Sequence, residues 1–303
     1  MSACGSPGTL QLILATSHYL DLDGAALTGY GGPPLKLHYL EAGHGKPLLL
    51  LHGTALDSAE LTYGALLPEL AAERRVIALD WPGYGKSDKP AAAYTMRFYQ
   101  DVLATFVNRL GLDQFGVAAF SMGGGVALGF VLEHPEHVQN LILIDSYALG
   151  GGVHIPFLPF LLLRLPGVAP LVWHLLAENE TFLAFCLRHF ICGQGRSVDA
   201  RMIADVQRQL ELPGLYRAFT DWLGRELGAF RLTTDHRRLL KRVSTKTLLI
   251  HGGRDLVIPA WRARRAAKLM PNVEAHILPK IGHWAPREAP NEVLRVMLKF
   301  LED

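Results

Sequence analysis

The chain has 303 residues, half of them hydrophobic and 19% charged, with 30 Lys and Arg against 28 Asp and Glu for a net charge of +2. That length buries a sizeable core without metal or disulfide staples. The balanced charge argues against a nucleic-acid binder, and the apolar content excludes disorder. Taken in chain order, Leu10–Tyr19 and Leu35–Glu41 read as an opening hairpin across the Gly/Pro-rich TGYGGPP. The N-terminus before it lacks a basic stretch and a long apolar run, so no secretory signal is expected and the protein is read as cytoplasmic. Pro47–Leu51 follows as a buried strand, Leu61–Glu73 as a helix and Arg75–Leu79 as a strand. Tyr94–Leu110 then reads as a helix, Phe115–Phe120 as a strand, Met122–His134 as a helix and Leu141–Ile144 as a strand. After Asp145 this rhythm breaks, and only helical patterns run to about Leu240. Alternation resumes with the strand Thr247–Ile250, the helix Ala260–Met270, the strand Val273–Leu278 and the helix Pro290–Leu301.

Strands alternating with helices predict an α/β fold with a mostly parallel central sheet and helices on both faces. The interruption predicts a helical insertion. It is apolar, with Arg164, Glu178, Glu180 and Arg188 as its charged residues between Ser146 and Gly195, and this accounts for a mean hydropathy of +0.17. Pro156, Pro159, Pro166 and Pro170 interrupt that stretch, and Arg164 lies within it. It is therefore not expected to be a transmembrane helix.

Chemistry concentrates around Ser121 in VAAFSMGGGVALGF, between a strand and a Gly/Ala-rich helix. An abrupt strand-to-helix turn holds a serine in a strained conformation and requires small neighbours, here Ala119 and Gly123. It exposes the hydroxyl at the carboxyl edge of the sheet and puts the Met122 N–H at a helix N-terminus, ready to stabilise an oxyanion. Taken alone, S-x-G fits an N-capping serine equally well. A nucleophilic serine needs a base and an orienting acid. His283, after the strand Val273–Leu278, and Asp255, after Thr247–Ile250, are expected at that same edge. Singly, His283 reads as a loop histidine and Asp255 as a turn cap. Together, in one chain order, they point to one constellation. Asp145, closing the strand LILID, is the alternative acid.

These features resemble the α/β-hydrolase fold family, in the order nucleophile, acid, histidine. The motifs that carry the resemblance are LLLLHGT (Leu48–Thr54), DWPGYGKSD (Asp80–Asp88), AFSMGGG (Ala119–Gly125), and GGRDLVIP with GHW (Gly252–Pro259, Gly282–Trp284). They span almost the whole chain. The resemblance implies a hydrolase core over 1–145 and 241–303 and a helical cap over 146–240. It also implies Ser121 as nucleophile, His283 as base and Asp255 as its orienting acid, with the Thr54 and Met122 amides forming the oxyanion hole. The family's G-x-S-x-G carries alanine at its first position here, Ala119. Alanine is small enough for the turn, so strain rather than loss of function is expected. Haloalkane dehalogenases and soluble epoxide hydrolases share the fold but use an aspartate nucleophile, which the serine at 121 argues against.

An apolar cap suits a small ester with an apolar acyl or aromatic group, so the expectation is a carboxylesterase or lipase-like enzyme working through an acyl-enzyme. Those apolar residues equally serve to pack the cap on the core, to form a homodimer or to rest on a membrane surface. The alternatives are a C–C bond hydrolase of ring-cleavage products, a cofactor-free haloperoxidase or perhydrolase-like enzyme, and a small-ligand receptor that keeps the fold. The C–C hydrolases usually carry S-G-P-G after His-Gly, where this chain has TALDSAE. No cofactor, metal or nucleic-acid partner is expected. The sparse set Cys4, Cys186 and Cys192 forms neither a disulfide framework nor a zinc site. His52 is expected to shape its loop, His251 to play a structural role at its strand end, and Tyr84 and Trp284 to pack near the site.

Overall fold

The computed structural model of the chain describes residues 15–150, 165, 167–193, 198–226 and 232–302. Cys4, the start of the opening strand and the proline-rich run 151–164 lie outside the described residues. Eight strands form one sheet in the order β1-β2-β4-β3-β5-β6-β7-β8. Strands β1 (Thr16–Leu22) and β2 (Leu35–Ala42) pair antiparallel, Thr16 opposite Glu41, and β2 runs antiparallel to β4 (Arg75–Leu79). All remaining pairs are parallel: β3 (Pro47–Leu51), β5 (Phe115–Phe120), β6 (Val138–Ile144), β7 (Lys246–Gly252) and β8 (Val273–Leu278). The inner strands are continuous apolar runs such as PLLLL and FGVAAF because helices cover both of their faces. Along β3, Leu49 and Leu51 enter one core layer while Leu48 and Leu50 enter the other.

The first layer holds α3 (Met96–Arg109), α4 (Met122–Glu133) and α9 (Trp261–Ala267), with Phe98, Val102, Val126 and Ala263 packed inward. The second holds α1 (Ala59–Tyr63), α2 (Leu67–Ala71) and α11 (Pro290–Glu302). The stretch expected as one helix over Leu61–Glu73 is two short helices. Gly64 closes α1, and Pro68, which cannot donate an N–H, sits in the first turn of α2.

Between β6 and β7 lie α5 (Val168–Glu178), α6 (Glu180–Cys186), a π-helical turn at Leu187–Ile191, α7 (Ala200–Leu210) and α8 (Leu215–Glu226). Asp199 caps α7 by accepting from the Met202 amide (2.7 Å), and the helix turns Met202, Ile203, Val206 and Leu210 inward. Helices α6 and α7 join the second core layer, whereas α8 joins the first through Leu215, Ala218 and Trp222. Within the described residues no helix is long and apolar enough to cross a membrane.

The chain leaves β3 towards β4 on one side and returns to β5 on the other. The crevice outside the carboxyl ends of β3 and β5 is thus the switch point where such sheets place ligands.

Candidate active site

Ser121 follows β5 at this crevice with φ 51° and ψ −117°, a left-handed conformation that is strained for a residue with a Cβ. The surrounding backbone enforces it. The Ser121 N–H donates to the Ile144 carbonyl (3.0 Å), and its own carbonyl accepts from the amides of Gly124 (3.0 Å) and Tyr147 (3.0 Å). A Cβ on Gly123 would lie 2.5 Å from the His52 carbonyl oxygen, so only glycine lets the first turn of α4 approach the segment after β3 this closely. Ala119 is fully buried within β5, paired with Leu51 and Leu143, and the strand continues through it unbroken.

The Ser121 hydroxyl lies 3.0 Å from His283 Nε2, and His283 Nδ1 lies 2.8 Å from Asp255 Oδ2. A carboxylate only accepts, so Nδ1 carries the imidazole proton and Nε2 is left to accept from the serine hydroxyl. Asp255 Oδ1 is held by the amides of Val257 (2.8 Å) and Ile258 (2.7 Å). All three residues are buried. Burial alone would raise the Asp255 carboxyl. The facing His283 charge and the hydrogen bonds from His251 and His283 outweigh it and hold the group well below the usual carboxylate range. Burial likewise works against charging His283, but the Asp255 charge and hydrogen bond prevail and raise its pKa above 6.5.

The segment after β3 is fixed by its own network. His52 donates from Nδ1 to the Gly53 carbonyl (2.9 Å) and accepts at Nε2 from the Trp81 amide (3.0 Å). Asp57 accepts from the Gly53 amide (2.7 Å) and the Thr62 hydroxyl (2.6 Å), and Thr62 in turn accepts from the Trp284 indole N–H (2.8 Å). The loop carrying Thr54 is thereby tied to the residue beside His283. The Thr54 hydroxyl meets the Tyr84 hydroxyl at 2.6 Å. Met122 is the first residue of α4, so its amide belongs to the helix's unsatisfied N-terminal set.

Asp145, the alternative acid, makes no hydrogen bond to His283 among the described residues. Its carboxylate is taken by the amides of Gly252 (2.7 Å) and Ala285 (3.2 Å), the latter in α10 (Ala285–Glu288). Some neighbours of the site carry no sequence signal. The His283 amide donates to the Ile191 carbonyl (2.6 Å), and Glu288 accepts from the amides of Gly193 (3.0 Å) and Gly282 (2.9 Å). The contacts of Ile191 and Gly193 join segments far apart in the chain, and Ile191, Gly193 and Glu288 lie outside the motifs. His251 is more than a strand-end residue. It donates from Nε2 to the Ile258 carbonyl (2.6 Å) and stands 3.4 Å from Asp255 Oδ2. Asp145, His251 and Asp255 each bring one atom of metal-binding type within 4.8 Å of the others. Those groups are already engaged by Gly252, Ala285, Ile258, Val257 and His283, so the set belongs to the hydrogen-bonded framework behind His283. Cys192 is buried and Cys186 half-buried, both in the segment between β6 and β7.

Known proteins align with almost all of this framework. The chain is 28% identical over 275 residues to the 2-hydroxy-6-oxo-6-(2'-aminophenyl)hexa-2,4-dienoic acid hydrolase of Metapseudomonas resinovorans, covering 88% of each protein. It is 27% identical over 267 residues to the 2-hydroxymuconate semialdehyde hydrolase of Pseudomonas putida, covering 87% of this chain and 89% of the relative. The crystal structure of a serine hydrolase involved in carbazole degradation superimposes with a TM-score of 0.75 at 26% identity, covering 95% of this chain and 99% of that one. Residues 46–290 match the sequence profile of the α/β-hydrolase fold, well over half of the chain. With that match and this sheet, the chain belongs to the α/β-hydrolase fold family.

Proposed function

We propose that the protein is a serine hydrolase that cleaves small carboxylic esters with an apolar acyl or aromatic group through an acyl-enzyme. The observation that carries this reading is the continuous hydrogen-bonded chain from the Ser121 hydroxyl through His283 to Asp255. Ser121 attacks the ester carbonyl as His283 Nε2 takes its proton, and Asp255 keeps the imidazole in the tautomer that can accept. The tetrahedral oxyanion is held by the amides of Thr54 and Met122. His283 then protonates the departing alcohol, and a water activated by the same nitrogen releases the acid. Residues 146–240 act as the cap that covers the substrate, over a core of 1–145 and 241–303.

A second reading is favoured by the relatives. Two of them are named as hydrolases of a dienoic acid and of a muconate semialdehyde, and a serine hydrolase of carbazole degradation shares the fold. In that reading the same residues cleave a C–C bond beside a ketone.

One assay separates the two. Hydrolysis of p-nitrophenyl esters from acetate to a long-chain acid is compared with hydrolysis of a 2-hydroxy-6-oxohexa-2,4-dienoate, with Ser121→Ala as the blank. Serine-dependent turnover that peaks on an ester supports the first reading. A rate confined to the dienoate replaces it with the second. Turnover that survives Ser121→Ala removes Ser121 from the mechanism.

A further inference from the structure

We infer that Asp145 is a positioning residue for this site: it clamps the acid-bearing loop to the base-bearing loop and forms, with His251, an ionisable pair behind Asp255. The inference rests on the proposed roles of Ser121, His283 and Asp255 and adds a second tier to them.

The clamp is visible in the backbone. Asp145 follows β6 with φ 45°, a left-handed conformation uncommon for residues other than glycine, and has no exposed surface. Its Oδ1 accepts from the amide of Gly252 (2.7 Å), which closes β7 just ahead of Asp255. Its Oδ2 accepts from the amide of Ala285 (3.2 Å), which follows His283 and Trp284. One carboxylate therefore bridges the two loops whose relative position sets the His283–Asp255 hydrogen bond. At Gly252 and Gly282 the two loops approach backbone to backbone. A Cβ on Gly252 would lie 1.9 Å from the Gly282 carbonyl oxygen, so no side chain can act as spacer in place of the carboxylate.

The charge arrangement adds the second part. The ionisable groups facing Asp145 are His251 on β7, Asp255 after β7 and His283 after β8. Two buried carboxylates this close cannot both stay ionised without a compensating proton. His251 stands between them, with Nε2 3.4 Å from Asp255 Oδ2 and Nδ1 4.0 Å from Asp145 Oδ1. Nε2 keeps its proton because it donates to the Ile258 carbonyl. Nδ1, on the Asp145 side, is then the atom that gains or loses one. In keeping with this, burial pushes the Asp145 carboxyl up to about 7 against the opposing His251 charge. His251 is raised as well: burial disfavours its charge, but the Asp255 hydrogen bond and the two carboxylates overcome it. When His283 takes the serine proton, the new imidazolium faces Asp255 directly and the Asp145–His251 pair behind it. An ionised Asp145 favours that imidazolium, and a charged His251 opposes it.

The test is Asp145→Asn, assayed on whichever substrate shows Ser121-dependent turnover. An amide cannot accept from both backbone N–H groups in place, so kcat is expected to fall roughly tenfold or more with KM within about threefold. The acid limb of the pH–rate profile is expected to move down by about half a unit or more as His283 loses a neighbouring negative charge. An unchanged kcat overturns the proposal. So does a lowered melting temperature with an unmoved acid limb, since that is the signature of packing alone. If Asp145→Asn does not fold, 15N-histidine NMR of the Ser121→Ala protein keeps the question open to measurement. His251 Nδ1 is expected to titrate over the same pH range as His283, both above the free-histidine value. A His251 that keeps one protonation state across that range overturns the proposal. This readout needs no substrate, so its failure is distinct from failure of the hydrolase reading.

Discussion

In the proposed mechanism His283 must be neutral to accept the Ser121 proton and cationic to donate it onward, so its neighbours decide the pH at which it works. The Asp255 charge and hydrogen bond overcome burial and raise its pKa above 6.5. Activity is therefore expected to fall as pH drops through a midpoint above the free-histidine value, read as the acid limb of kcat/KM. A rate that stays flat well below pH 6.5 would count against the base role. Asp255→Asn replaces the acceptor opposite Nδ1 with a group that can also donate, and so allows the wrong tautomer. A loss of roughly 10³–10⁴-fold in kcat is expected, with the fold intact by circular dichroism. Asp145→Asn should be milder, because among the described residues Asp145 makes no hydrogen bond to His283 and positions it through Gly252 and Ala285. If Asp145→Asn is the more damaging, Asp255 is not the orienting acid.

The turn between β5 and α4 depends on contacts that lie outside both elements. Gly123→Ala would drive a methyl into the His52 and Leu51 carbonyl oxygens, which are backbone atoms with little room to yield. The expected result is destabilisation by about 1–3 kcal/mol or more in urea unfolding, with activity falling as the segment carrying Thr54 is pushed away. Ala119→Gly, which restores the usual G-x-S-x-G, is the contrasting change. Ala119 lies in an unbroken strand, so glycine there should cost about 1 kcal/mol and bring no gain in rate. A large gain would mean that the alanine does strain the turn.

At this scale the sequence is informative where patterns are local. The strands Pro47–Leu51, Arg75–Leu79, Phe115–Phe120 and Val273–Leu278 are read to the residue, because apolar runs between turn residues leave little freedom. The Ser121, Asp255 and His283 positions are legible for a related reason: each lies just beyond such a strand. Leu61–Glu73 misleads, because its apolar spacing continues through Gly64 and Pro68 while the backbone does not. The Asp145 clamp and the Ile191–His283 contact are invisible in the same way. Each joins residues near one another only after the sheet has assembled.

For the whole molecule, the buried ionisable groups at the sheet edge set stability and catalysis against one another. Asp255 has a folded pKa below its unfolded value, so its contribution is present above about pH 4 and lost as pH falls through the folded value. Asp145 runs the opposite way. Burial raises it from 3.8 to about 7, so the native state binds the extra proton and loses stability as pH rises through that interval. His251 and His283 are raised above 6.5, and their contributions too are full at low pH and fade as pH climbs through their folded values. Three of the four groups therefore weaken the fold over the range in which His283 becomes competent as a base. The melting temperature is expected to decline between about pH 6 and about pH 8 while kcat/KM rises, as measured by calorimetry and initial rates in one buffer series. Asp145→Asn should flatten that decline, because the amide has no proton to lose. A melting temperature that rises in parallel with the rate would show that this buried cluster does not govern the pH dependence of the fold.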